Sequence, residues 1–147
     1  MPFNLTKTEF QEIQDAFLDL WPRDKLDTLT LQEYSNRDMN SLTYWLEFKT
    51  QALGSIKGGS SLKFLVYNRK ERSSQPPKKN WQTDGIYAWQ ASLGASAHEA
   101  FEVVKAEIIQ IVEAAARMDF AAIEESNLFG PALKWKLAAM YRSEHIF

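Results

Sequence analysis

Gly85-Ile86-Tyr87-Ala88-Trp89-Gln90-Ala91, followed by Ser96-Ala97-His98-Glu99 and then by Phe101, Val104, Ile108, Ile111, Val112 and Ala115, decides the fold class. The first stretch is aromatic and apolar and opens on a glycine, which predicts a strand over 85–91. Ser96 and Glu99 have the spacing of a capping box, in which a hydroxyl and a carboxylate satisfy first-turn N–H groups. The apolar residues behind them recur at three and four, the spacing of one face of a helix. A strand feeding a long amphipathic helix must bury both against other layers. The rest of the chain has to supply them.

Upstream, Leu62, Phe64 and Val66 alternate with Lys63, Leu65 and Tyr67. This predicts a second strand, pairing antiparallel with 85–91 through a long connection. Gly58-Gly59-Ser60-Ser61 before it reads as a flexible turn, and polar 69–80 with Pro76-Pro77 as a loop. Two strands alone are marginal, so a third is expected, from Leu26–Leu31 or Gly54–Lys57. Further helices are predicted over 7–20 (Thr6 and Glu9 as capping box; Phe10, Ile13, Phe17 and Leu20 as its face, ended by Pro22), over 41–53 (with a strand as the competing reading; Gly54 as C-terminal cap), from Asp119 through Ile123, and over 132–142 with Leu133, Leu137, Met140 and Tyr141 on one face. Thr30 has the position to cap a short turn over Leu31–Tyr34. The expected architecture is α+β, a small antiparallel sheet covered by about four helices, in a single domain over 1–147.

Length and composition agree: 147 residues, 45% hydrophobic and 24% charged, suit one globular domain rather than a disordered chain. There is no cysteine, so disulfides, Cys-based zinc sites and thiol nucleophiles are excluded. No apolar run approaches the roughly 18 residues that span a bilayer, and no signal peptide is visible at the start. The expected setting is cytoplasmic, with no membrane partner.

The net charge of −2 hides a segregation. Residues 1–53 carry 5 basic and 9 acidic groups, and residues 81–147 carry the same numbers. Between them, residues 54–80 carry 7 basic groups (Lys57, Lys63, Arg69, Lys70, Arg72, Lys78 and Lys79) and 1 acidic group, Glu71. Cations on a loop, with Trp81 behind it and Tyr67, Tyr87 and Trp89 beside it, suit nucleic acid: the cations replace counterions on phosphates and the rings stack an unpaired base. Gly58, Gly59 and Ser60, with Lys57, offer backbone amides and a charge to a phosphate. The plain alternative is a solvated charged loop with Tyr67 and Trp89 in the core.

Other chemistry leaves weaker traces. The segment 54–60 is glycine-rich but lacks the order G-x-x-x-x-G-K-[ST] and precedes a strand, so it offers no helix N-terminus to a nucleotide. His98 and His145 show no metal-ligand spacing, and no serine sits in G-x-S-x-G. Glu47-Phe48-Lys49 has the E-x-K end of a nuclease pattern, a three-residue match that occurs often by chance. No catalytic residue, metal site or cofactor is expected.

Three segments taken in order, Thr30-Leu31-Gln32-Glu33-Tyr34-Ser35-Asn36, Ser41-Leu42-Thr43-Tyr44-Trp45-Leu46-Glu47 and Leu53-Gly54-Ser55-Ile56-Lys57-Gly58-Gly59-Ser60-Ser61-Leu62-Lys63-Phe64, together with Leu133-Lys134-Trp135-Lys136-Leu137-Ala138-Ala139-Met140-Tyr141, resemble a domain found ahead of the AAA+ motor in McrB-like restriction GTPases of bacteria. The resemblance spans about residues 29–147 and departs at Leu65, where members carry glycine. It implies a DNA-recognition module of a restriction or antiviral defence system, reading duplex DNA with or without a modified or flipped base. It also implies a downstream GTPase motor and a partner nuclease that carry the catalysis. The competing implication is a non-catalytic protein-interaction or assembly domain of such a system.

Overall fold

The computed structural model describes residues 7–53, 56 and 61–141. Lys57, Gly58, Gly59 and Ser60, with Thr6, Gly54 and His145, lie outside the described residues.

The architecture is α+β. The longest helix, here α4 (Ala97–Ala116), begins where the cap signal places it: Ser96 Oγ accepts the Glu99 N–H at 3.1 Å. The Glu99 carboxylate reaches one residue further back than a capping box requires and accepts the Ala95 N–H at 2.9 Å. Phe101, Val104, Ile108, Ile111, Val112 and Ala115 are all buried, as their spacing demands.

The other helices are α1 (Lys7–Leu20), α2 (Leu31–Tyr34), α3 (Leu42–Tyr44), α5 (Phe120–Glu125) and α6 (Pro131–Tyr141). Local capping explains several starts. Thr30 and Glu33 form a reciprocal box around α2, Ser41 Oγ accepts the Tyr44 N–H at α3, and Asp119 Oδ1 accepts the Ala122 N–H at α5. In α1 the buried stripe includes Gln14 and continues into Trp21, while Leu20 is 52% exposed, a correction to the expected face. Gln14 is fully enclosed because its amide donates to the Met140 carbonyl at 3.1 Å, fastening α1 to the end of α6.

The segment 41–53 is helical without being one α-helix. After α3 the backbone widens into a π-helical turn, Trp45–Lys49, then tightens into a 3-10 turn, Gln51–Leu53. The cause is Thr50. Its N–H donates to Trp45 O at 3.1 Å, five residues back, and its hydroxyl donates to Trp45 O at 3.0 Å and Leu46 O at 3.2 Å.

The sheet has three strands, β1 (Val66–Asn68), β2 (Trp81–Thr83) and β3 (Tyr87–Gln90), in the order β1-β3-β2, with β3 antiparallel to both neighbours. Two expectations are corrected here. Ser61–Phe64 is a 3-10 turn, because Leu65 adopts φ 71° and breaks the extended run that the alternation suggested. The third strand is Trp81–Thr83; Leu26 lies instead in a 3-10 turn, Arg23–Thr28. Gly85 belongs to the turn before β3, at φ 92°, where Asp84 Oδ1 accepts the N–H groups of Ile86 and Tyr87.

One face of the sheet, with Val66, Tyr87 and Trp89, packs on α4. The core continues from there between α4, α6 and α1. Tyr34 is buried at its centre beside Phe101, 5.7 Å between ring centroids, and donates its hydroxyl to Phe64 O at 2.8 Å. Burial pushes the Tyr34 hydroxyl far above the usual phenol range.

Helix α6 is enclosed on more than the expected single face, since Lys134 and Lys136 are buried along with Leu133, Leu137, Ala138 and Met140. Lys134 Nζ donates to the carbonyls of Glu124 and Ser126 at 3.0 and 2.8 Å, closing the C-terminal end of α5. Lys136 Nζ donates to Thr50 O at 2.8 Å, and loss of hydration lowers its pKa to about 8.

The sign of that shift gives a test. Below about pH 8 Lys136 is protonated in both folded and unfolded chains. Between about 8 and the ordinary 10.5 the unfolded chain binds more protons, so the Lys136 contribution to stability rises with pH. Urea unfolding of wild type and Lys136→Met from pH 7 to pH 10 should show wild type gaining about 2 kcal/mol relative to the variant. A constant difference would contradict it.

Candidate nucleic-acid interface

The strand order dictates where the basic segment goes. β1 and β2 both run antiparallel to β3, so they are parallel to each other, and the chain between them must return the length of the sheet. Residues 69–80 make that return. The segment leaves β1 against the 84–86 turn, where Arg69 N–H donates to Ile86 O at 2.7 Å. It enters β2 through a turn closed by Trp81 N–H on Lys78 O at 3.2 Å.

The two arginines are spent on bracing this loop. Arg69 Nη1 donates to Ser73 O, Gln75 O and Thr83 Oγ1 at 3.0, 2.7 and 3.0 Å. Arg72 Nη1 donates to Asn68 Oδ1 at 2.9 Å, to Ile86 O at 3.1 Å and to Arg69 O. Lys63 is half-buried, ion-paired with Glu47, and lies over the Phe64 ring at 5.2 Å. Its charge is largely offset by Glu47 before any phosphate arrives. Lys70, Lys78 and Lys79 are exposed, and among the described residues none of their ammonium groups has an ion-pair or hydrogen-bond partner. The seven expected cations therefore divide: three free on the loop, three engaged in structure, and Lys57 outside the described residues.

The aromatic residues divide as well. Tyr87 and Trp89 are 8% and 4% exposed on the core face, with Tyr87 Oη donating to Ser35 O at 3.2 Å and Trp89 Nε1 to Gly94 O at 3.0 Å. Their rings are closed to a base, which corrects their expected stacking role. Alternation along β3 was the available signal, because residues two apart share a face. The opposite face carries Tyr67, Ala88 and Trp81. Small Ala88 stands opposite Tyr67 on one side and Thr83 on the other and is fully covered, while Trp81 pairs with Gln90 further along the same face; the rings meet diagonally at 6.1 Å between centroids, tilted by 57°. Both remain half-buried rather than enclosed. Burial raises the Tyr67 hydroxyl pKa, opposed by the nearby positive charge of Arg69, so it stays a neutral donor at ordinary pH.

Sequence reasoning missed a polar cleft beside this surface. Ser35, Asn36, Tyr44, Glu47, Phe48 and Tyr67 line a cavity of about 90 Å³, built where the loop after α2, the π-helical turn and β1 converge. Asn68 N–H donating to Ser35 Oγ at 2.8 Å ties β1 to that loop. A second depression of about 260 Å³ adjoins it through the shared residues Ser61 and Tyr67 and carries Arg69 and Lys70. Donors, a carboxylate and aromatic edges thus lead directly to the cationic loop.

Two other candidates are corrected or set aside. In Glu47-Phe48-Lys49 the charged groups diverge: Glu47 turns to Lys63, and Lys49 lies over the Trp45 ring at 5.9 Å. They do not converge on a common site, as a nuclease pair would. The larger groove, about 640 Å³ between α4 and α5, bears Glu107 and Glu125 and no cation, the wrong sign for phosphate. Among the described residues no group of three His, Asp or Glu is placed to hold a metal ion, and no helix is long and apolar enough to cross a membrane.

No family model, curated protein or solved structure matches this chain.

The division between bracing and free cations is measurable. Lys78→Glu with Lys79→Glu should leave the unfolding free energy within about 0.5 kcal/mol of wild type, as surface changes do. Arg69→Ala should cost about 1–3 kcal/mol, because three acceptors lose a charged donor. Denaturant midpoints check both, and equal costs would contradict the assignment.

Proposed function

We propose that this chain is the DNA-binding specificity module of a McrB-like bacterial restriction or antiviral defence system. In this reading it works in the cytoplasm beside a GTPase motor and a partner nuclease, and those carry the catalysis. The observation that carries the reading is one surface: Lys70, Lys78 and Lys79 on a braced loop, next to the Tyr67–Trp81 ring pair and the polar cleft.

Each part matches a need of the ligand. The lysines neutralise phosphates and release counterions, which supplies affinity without sequence preference. Because Arg69 and Arg72 hold the loop's shape, those charges sit on a defined platform. Trp81 and Tyr67 supply ring surface for an unpaired base, and the cleft offers Asn36, Glu47 and hydroxyls to its edge. The acidic segments on either side repel a polyanion elsewhere, which confines binding to this surface. The ordered resemblance to McrB-like N-terminal domains supports the same class.

A second reading is a protein-docking module. The α4–α5 groove favours it, with half-exposed Val103 between carboxylates.

Gel-shift titration at roughly 50 mM salt with short duplexes, unmodified and carrying modified cytosine, tests the proposal. Binding is expected, weakened at least about tenfold in Lys78→Glu with Lys79→Glu and in Trp81→Ala. No binding, or binding indifferent to these changes, would overturn it and favour the docking module.

A further inference from the structure

We infer that Lys136, buried in α6, is a positioning residue for the cleft, acting through Thr50 on the π-helical turn that carries Glu47 and Phe48. The inference rests on the DNA-binding reading for its ligand and on geometry alone for its mechanism.

The chain of contacts is short. Tyr44, Glu47 and Phe48 line the cleft, and all three belong to α3 or the turn Trp45–Lys49. A π-helical turn is a wide and unfavourable way to wind a helix, and it persists only when something fixes it. Thr50 fixes it from below, with its N–H on Trp45 O and its hydroxyl on both Trp45 O and Leu46 O. Thr50 is itself fully buried, and its carbonyl accepts two hydrogen bonds, from Leu53 N–H at 3.0 Å and from Lys136 Nζ at 2.8 Å. The second spans 86 residues of sequence and ties the turn to α6.

A lysine is a costly choice for this place, since burial penalises its charge. An apolar residue of the same length would satisfy the packing. What it would not supply is a donor aimed at the Thr50 carbonyl. The side chain therefore trades some stability for the register of the turn, and the register decides where the Glu47 carboxylate and the Phe48 ring stand. Phe48 pairs with Tyr44 at 5.0 Å between centroids, and Glu47 pairs with Lys63, so a slip in the turn would disturb both walls of the cleft together.

The test compares wild type, Lys136→Met and Lys136→Arg, the last keeping a charged donor. Amide hydrogen exchange reads the turn directly, with no DNA present. In Lys136→Met, exchange at residues 46–50 should speed up at least about tenfold, the equilibrium worth of one hydrogen bond from a charged donor, while α4 is unchanged. Affinity for a short fluorescent duplex should fall by a similar factor without loss of thermal stability, and Lys136→Arg should recover part of both. Should Lys136→Met fail to fold, Lys136→Gln, whose donor falls one atom short, carries the same comparison.

Exchange that is unaltered, or that rises equally in α4, would overturn the inference and leave Lys136 an ordinary core residue. If wild type binds no duplex, the DNA reading fails while the exchange result still decides the role of Lys136.

Discussion

The central position of β3 is the constraint on which the rest of this molecule depends. With Tyr87 and Trp89 buried against α4, the strand has one face committed to the core and both edges committed to partners. Two parallel strands flanking it cannot be joined by a tight turn. A long return is therefore required, and it must run outside the layers. Residues 69–80 make that return, and they carry Arg69, Lys70, Arg72, Lys78 and Lys79. Topology thus places a cationic stretch at the surface, and local chemistry decides which of its charges remain free. Arg69 and Arg72, with planar multi-donor heads, take the carbonyls that a wandering loop leaves unpaired. The lysines do not.

The same constraint sorts the aromatic residues. Strand alternation sends Tyr87 and Trp89 inward, and the register then sends Tyr67 and Trp81 to the other face, where Ala88 leaves room for them to meet. Exposed ring surface next to free lysines is the feature that favours nucleic acid over a merely solvated loop. The polar cleft gives that surface a direction, since its carboxylate and hydroxyls lie on the side where β1 meets the π-helical turn.

What sequence made legible was mostly local. Ser96, Thr30 and Asp119 act within three residues, so their caps can be read without knowing the fold; Glu99 caps a neighbouring N–H for the same reason. The α4 stripe is legible because it packs continuously along its length. Of the strand expected over 62–67, Val66 and Tyr67 are extended and pair with β3, while 62–64 are not, because Leu62 and Phe64 fit a pleat as well as they fit a turn that reverses at Leu65. Trp81–Thr83 has no apolar alternation of its own and is a strand only because β3 offers it an edge. Nothing near Lys136 in sequence, between Trp135 and Leu137, says that its side chain reaches Thr50. The cleft is assembled from segments far apart in the chain, so no single motif announces it.

The salt dependence of duplex binding tests the central claim most directly, because it counts the phosphates that free cations neutralise. With Lys70, Lys78 and Lys79 engaged, log K against log salt should fall with a slope of roughly −3. Removing all three charges should bring the slope close to zero. A slope that is near zero in wild type, or that is unchanged when the three lysines are replaced, would contradict the account.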